Sequence, residues 1–342
     1  MKKTLMVATA IAVTSAVVLS AQGPAPIAKR DPNYTVPRTP WGDPDLQGKW
    51  PSTDMVGTPM QRDAKLGTRN LLTEAEYRDV QARFARQAAQ DEADFDLDHP
   101  TVTPGGDVGG PVSPPPHWLE RGKPQYQASL IVDPPDGRMP ALTPQARARY
   151  DAIQAARKGR GPADSYTDRS LYDRCISRGV IGSVLPVIYN NGNEIVQAPG
   201  YVVIRNEMIH ESRIVPLDGR PHLNSGLHLW MGDSRGHWEG DTLIIETRNL
   251  TDRTGISQGG NNPHSDQLVI TERFRLIDAN TLQYEATLND PQTWTKPWTI
   301  SFPWKRDSNY LMFEYSCHEG NYAMRNLLSG ARAEEQANNK SR

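Results

Sequence analysis

A chain of 342 residues, 37% hydrophobic, with 38 Lys and Arg against 40 Asp and Glu, has the apolar content for an ordinary core in one large or two modest domains. Its net charge of -2 comes from interleaved acids and bases, so there is no sustained basic footprint for nucleic acid or for an anionic membrane surface. Polyanion partners are set aside in favour of a small-molecule ligand or substrate.

At the start of the chain, Lys2 and Lys3 precede an apolar run from Leu5 to Leu19, and the small residues Ser20 and Ala21 follow. This is the pattern of a secretory signal peptide over 1–21, too short for the ~20 residues that a bilayer core requires. No cysteine follows the Ala21–Gln22 bond, which argues against a lipid anchor. The expectation is a periplasmic or secreted protein without stable membrane insertion after cleavage. In that compartment the two cysteines, Cys175 and Cys317, are expected to form one bridge, with a pair of buried free thiols as the alternative.

Residues 22–44 are rich in proline and read as an extended arm. The segment "DLQGKW", 45–50, is expected to be a first strand. From 51 to 180 the pattern is one of helices and loops. "LLTEAEYRDVQARFARQAAQDE" holds Thr73 and Glu76 at capping-box spacing, and "LTPQARARYDAIQAARKGRG" has Thr143 as a cap, Pro144 in the first turn and Gly159 beyond the end. The stretch between them, "TPGGDVGGPVSPPPHW", is a glycine- and proline-rich loop, a linker or a lid.

From 181 to 317 the period becomes two. "YVVIRN", "MIHESRIVPL", "WMGDSRGHWE", "DTLIIETRN", "QLVITERFRLI", "TLQYEATLND", "WTISFPW" and "LMFEYSC" read as consecutive strands separated by turn signals such as Asp218-Gly219 and Gly240-Asp241. An open meander of that size exposes two edges, so the reading is a mainly β protein whose antiparallel meander closes into a barrel. Residues 318–342 form a C-terminal helix and tail.

Gly48 and Trp50 in "LQGKW" resemble the glycine-any-tryptophan motif that opens the lipocalin barrel, and a meander followed by a C-terminal helix is similar to the lipocalin plan. "WGDPDLQGKW", "PGYVVIRNEMIHESRIVPLDGRPH", "WMGDSRGHWEGDTLIIET", "TERFRLIDANTLQYEATLNDPQTWTKPW" and "EYSCHEGNY" resemble a large family of exported bacterial proteins predicted to be lipocalin-like. The resemblance covers most of the mature chain. It implies the lipocalin-like barrel and the compartment, but no reaction.

Strand parity sorts the faces. Leu282, Tyr284, Ala286 and Leu288 share one side of their strand, and Trp298, Ile300, Phe302 and Trp304 form an aromatic face that must look inward. Glu272 falls on the face of Leu268, Ile270, Phe274 and Leu276. Glu246 falls with Thr242 and Ile244, and His210 with Met208, Ser212 and Ile214. Carboxylates and an imidazole inside a barrel would have to be paired, hydrogen-bonded or neutral. Two readings follow: Glu272 and Glu246 are structural ion pairs or lie on a wet face, or His210, Glu272 and Glu246 are an acid-base set.

Ligand-binding candidates come from the loops and the aromatic faces: Trp230, Asp233, Arg235, His264, His318, Glu319 and Tyr322, with Tyr284, Trp294 and Trp298 as stacking surfaces. His228 and Asp266 belong to the same loops. Each has a plainer role available as a turn former or cap. No histidines stand at helix-motif spacing and no close Cys/His set occurs, so no metal and no cofactor are expected, with a metal held by two or three histidines converging through the fold left open. There is no Gly-x-Ser-x-Gly elbow, and "GGDVGG" neither follows a strand nor precedes a helix. The functional expectation is a cofactor-independent lyase, hydrolase or isomerase acting on a small, partly apolar or glycosidic substrate. The alternatives are a non-catalytic carrier of the cell envelope and a structural envelope component; oligomeric state is left open.

Overall fold

The computed structural model describes residues 29–91, 119–256 and 263–340. The signal-peptide segment, the first residues of the proline-rich arm and the glycine-rich loop of 103–118 lie outside the described residues.

Helix α1 (Glu74–Asp91) starts where its capping box places it: the Thr73 backbone N–H donates to Glu76 Oε2 at 2.8 Å and the Glu76 N–H to Thr73 Oγ1 at 3.3 Å. Helix α2 (Pro144–Arg157) is capped by Thr143, whose Oγ1 accepts from the Ala146 N–H at 3.1 Å. Short helix α3 (Gly179–Val184) is wholly buried, and α4 (Ala323–Lys340) ends the described chain.

The strands are β1 (Gly48–Lys49), β2 (Ile131–Asp133), β3 (Asn193–Ala198), β4 (Tyr201–Asn206), β5 (Ser212–Pro216), β6 (Asp233–Glu239), β7 (Thr242–Arg248), β8 (Val269–Asp278), β9 (Thr281–Asn289) and β10 (Trp298–Lys305). They form two antiparallel sheets, of order β1-β3-β4-β5 and β2-β10-β9-β8-β7-β6. Their apolar faces share one core, which includes Ile195, Val202, Ile204 and Val215 from the smaller sheet and Ile245, Phe274, Tyr284, Trp298 and Trp304 from the larger.

Neither sheet closes, so the expected lipocalin-like barrel is not formed. The edge problem that argued for closure is met in another way. Edge strands β1 and β2 span two and three residues, too short to template another chain, and β5 stops at Pro216. Strands β5 and β6 approach without a hydrogen-bonded ladder. A Cβ on Gly236 would stand 2.7 Å from Leu217 Cδ2 and 3.0 Å from Val215 Cγ1, so a larger residue there would have to displace these side chains. Two layers packed over one core bury the alternating faces as well as a barrel would.

Several segments differ from their expected type: Asn193–Ala198, in none of the expected strands, forms β3, and Met208–His210, read as the start of a strand, is a helical turn before β5. Ile131–Asp133, inside the stretch read as helices and loops, supplies edge strand β2 beside β10. Leu311–Cys317, expected to be a strand, pairs with nothing as a strand: the Phe313 N–H donates to Glu207 Oε1 at 2.9 Å, and Leu311 and Phe313 are exposed. Cys175 and Cys317 are bridged, closing a loop of sequence separation 142. No described helix is long and apolar enough to cross a membrane.

Candidate functional site

Alternation along β7 buries Leu243, Ile245 and Thr247 and turns Glu246 outward. The carboxylate interrupts the apolar run because Ile244 and Glu246 occupy the face away from the core. There Glu246 lies opposite Arg235 of β6 and accepts from Arg248 Nε at 2.7 Å and from His222 Nε2 at 3.2 Å. The Arg248 guanidinium, with help from His222, holds the Glu246 carboxyl below the usual carboxylate range.

The other imidazole nitrogen, His222 Nδ1, stands 2.9 Å from Asp233 Oδ2. Asp233, at the start of β6, also accepts from the Leu223 N–H at 2.9 Å and from Arg235 Nη1 at 2.6 Å. His222 thus stands between two carboxylates, and together with Arg235 and Arg248 it forms a clasp that ties the 217–232 loop to the sheet.

Asn249, immediately after β7, completes the clasp. With φ of 58° it turns the chain, and its Nδ2 donates to the carbonyls of Asn224 at 2.8 Å and Leu227 at 2.9 Å. Asparagine suits this place because it tolerates the left-handed region and carries two amide donors. The Leu229 N–H donates to the Asn249 carbonyl at 2.8 Å, laying the loop beside the chain that leaves β7.

Between these two segments opens a cleft of roughly 500 Å³, lined by His228, Leu229, Trp230, Thr251, Asp252, Arg253 and Asp266. His228 Nδ1 stands 3.3 Å from the Leu250 carbonyl, an acceptor that places a proton on Nδ1. Nε2 then faces Asp266 Oδ2 at 4.0 Å. The cleft thus combines a half-buried indole, a guanidinium, two carboxylates and an imidazole. A second cleft of roughly 240 Å³ beside α1 is chemically quieter, because its Asp63 and Glu76 are taken up by Lys65 and Arg69.

The residues expected from the sequence separate into several environments. Glu272 has no exposure and sits in an ion pair with Arg213, at 2.5 and 2.9 Å, with a third bond from the Tyr284 hydroxyl at 3.0 Å. His210 is exposed on the turn between β4 and β5, with Nδ1 2.9 Å from the Tyr315 carbonyl. Glu246 lies on the outer face, so no shared pocket collects His210, Glu272 and Glu246. Tyr284, Trp294 and Trp298 are core residues, with Trp294 and Trp298 packed edge to face at 5.3 Å.

His264 is buried between Thr254 Oγ1, at 2.7 Å, and the Ser265 carbonyl, at 2.8 Å, and burial pushes its pKa down. Asp233 and Arg235 belong to the clasp; Trp230 lines the cleft. His318, Glu319 and Tyr322 are exposed beside the disulfide. Asp252 and Arg253 were missed, since "NLTDRTG" reads as an ordinary turn; so was His222 as a partner of Asp233, because its neighbours come from two strands. Among the described residues no group of His, Cys, Asp and Glu is arranged to hold a metal ion.

No protein-family model matches this chain, and no curated protein or solved structure matches it.

Proposed function

We propose that this is an exported small-molecule-binding protein that takes a polar, ring-bearing ligand of the saccharide type in the cleft between His228–Trp230 and Thr251–Arg253. The observation that carries this reading is the lining: one indole face for a pyranose ring, with carboxylate, guanidinium and imidazole groups for its hydroxyls. Export rests on the N-terminal pattern of 1–21 and on the bridge between Cys175 and Cys317.

A catalytic role is a second reading, favoured by His228 Nε2 facing Asp266 at the cleft edge, a pair suited to moving a proton to or from bound ligand. The experiment is calorimetric titration of the full mature chain with cellobiose, maltose, chitobiose and galacturonate, followed by mass spectrometry of each mixture. Binding that weakens several-fold, about 1 kcal/mol, in Trp230→Ala supports the site. No saccharide binding, or binding indifferent to Trp230→Ala, overturns it. Product formation that Asp266→Asn abolishes at unchanged affinity selects the catalytic reading; its absence selects the carrier.

A further inference from the structure

Arg178 lies at the start of α3, 5% exposed. A guanidinium presents five N–H donors in a rigid plane and stays charged in a protein. Among the described residues, no carboxylate forms an ion pair with Arg178 and no acceptor takes a hydrogen bond from its side chain; its Nε is buried without a partner. What faces it is the ring of Tyr172, with Cζ 4.9 Å from the centroid. A buried arginine is ordinarily compensated, as Arg213 is by Glu272.

The surroundings are equally specific. The Tyr172 hydroxyl is hydrogen-bonded to that of Tyr189 and, at 2.9 Å, to that of Tyr315. Burial pushes the Tyr315 phenol up to about 12 and that of Tyr172 further up, so these hydroxyls are neutral donors. Val187, Met208 and Ile209 pack against the same three rings. Tyr172 and Tyr315 each lie within three residues of a bridged cysteine, and Cys175, Asn190, Ile209 and His210 all hold positive φ here without being glycine. Such strain persists only where neighbouring structure over-determines it.

We propose that Arg178 and the hydroxyls of Tyr172, Tyr189 and Tyr315 form a binding site for a small monocarboxylate with an apolar or aromatic body. One uncompensated cation calls for one negative charge, and the planar fork matches a carboxylate. Three rings with Met208, Ile209 and Val187 favour an apolar body and disfavour a dianionic phosphate. This site shares no residue with the lining of the cleft near Trp230 and does not depend on the reading given to that cleft.

The test is thermal unfolding and calorimetry of the full mature chain with benzoate, benzamide and inorganic phosphate at neutral pH. Benzoate should bind saturably and raise Tm, benzamide and phosphate should not, and Arg178→Gln should weaken benzoate at least tenfold. Benzamide matching benzoate, phosphate binding in its place, no benzoate binding, or full benzoate binding in Arg178→Gln each overturns the proposal. Should Arg178→Gln fail to fold, Tyr315→Phe decides. It keeps the cation and the ring, so a several-fold loss for benzoate sustains the site and unchanged affinity refutes it.

Discussion

Arg213 on β5 and Glu272 on β8 meet from different sheets in a two-bond ion pair that is shut off from water on both sides. The Tyr284 hydroxyl supplies a third bond to the carboxylate. The pair therefore acts as a fixed point of alignment between the two layers inside an otherwise apolar shared core.

Removing one partner leaves the other buried and uncompensated, which costs about 3–5 kcal/mol. Glu272→Gln should lower stability by about that amount, whereas the joint replacement Arg213→Met with Glu272→Leu should lose much less than the two single changes added. Urea unfolding of the parent, Arg213→Met, Glu272→Leu and the double variant measures the coupling, with Glu272→Gln read beside them. A Glu272→Gln protein within about 1 kcal/mol of the parent would mean that the interior there is wetter than the geometry indicates.

The Cys175–Cys317 bridge closes a loop of sequence separation 142. In the chain-entropy model such a loop is worth up to about 4–5 kcal/mol, with measured values often lower. Replacing both cysteines by serine should shift the urea midpoint downward, and reductant should shift the parent but not the variant. A parent whose midpoint ignores reductant, with both thiols confirmed free, would show that the bridge contributes nothing.

His264 gives stability a pH dependence of known sign. Its pKa is lowered by burial from the ordinary 6.5, so the unfolded chain takes up this proton more readily than the folded one. Its contribution is intact above about 6.5 and is lost as pH falls below that value. Burial raises the pKa of Glu211 and Glu285, which acts in the opposite sense, and the comparison therefore needs a His264→Gln variant. Between pH 7.5 and 5.5 the parent should lose more stability than His264→Gln. Parallel pH curves would remove His264 from the account.

Asn249 holds the cleft loop through its two amide bonds to Asn224 and Leu227. Asn249→Ala removes both bonds and puts a Cβ-bearing residue without local compensation at φ of 58°, a loss of about 1–3 kcal/mol. Hydrogen exchange at Leu223–Trp230 should accelerate, and ligand affinity in the cleft should fall. Asn249→Gly separates the causes: it keeps the backbone free of strain and loses only the clamps. Equal exchange in all three proteins would show that the loop is held elsewhere.

Helix caps, strand alternation and the cysteine pair were legible in the sequence because each depends on residues close in sequence or on an arithmetic of two. Thr73, Thr143, the inward run Trp298, Ile300, Phe302 and Trp304, and the Cys175–Cys317 bridge are of this kind. Parity also placed Glu272 on its inner face and Glu246 with Ile244. It could not say which face of β7 joins the core shared by the two sheets, since Leu243 and Ile244 are equally apolar and both are buried; only packing decides that.

What tertiary structure alone decided is the company each ionisable group keeps. Arg213 finds Glu272 from 59 positions away, His222 is shared by Asp233 and Glu246, and Arg178 is left facing Tyr172. The split into two sheets is of the same order, because a period of two dictates which side chains face inward but is identical for a barrel and for a pair of packed layers. The side-chain pattern along a strand is local chemistry, whereas the choice of neighbouring strand, and with it every partner that crosses between sheets, is settled by how the buried faces fit together over one core.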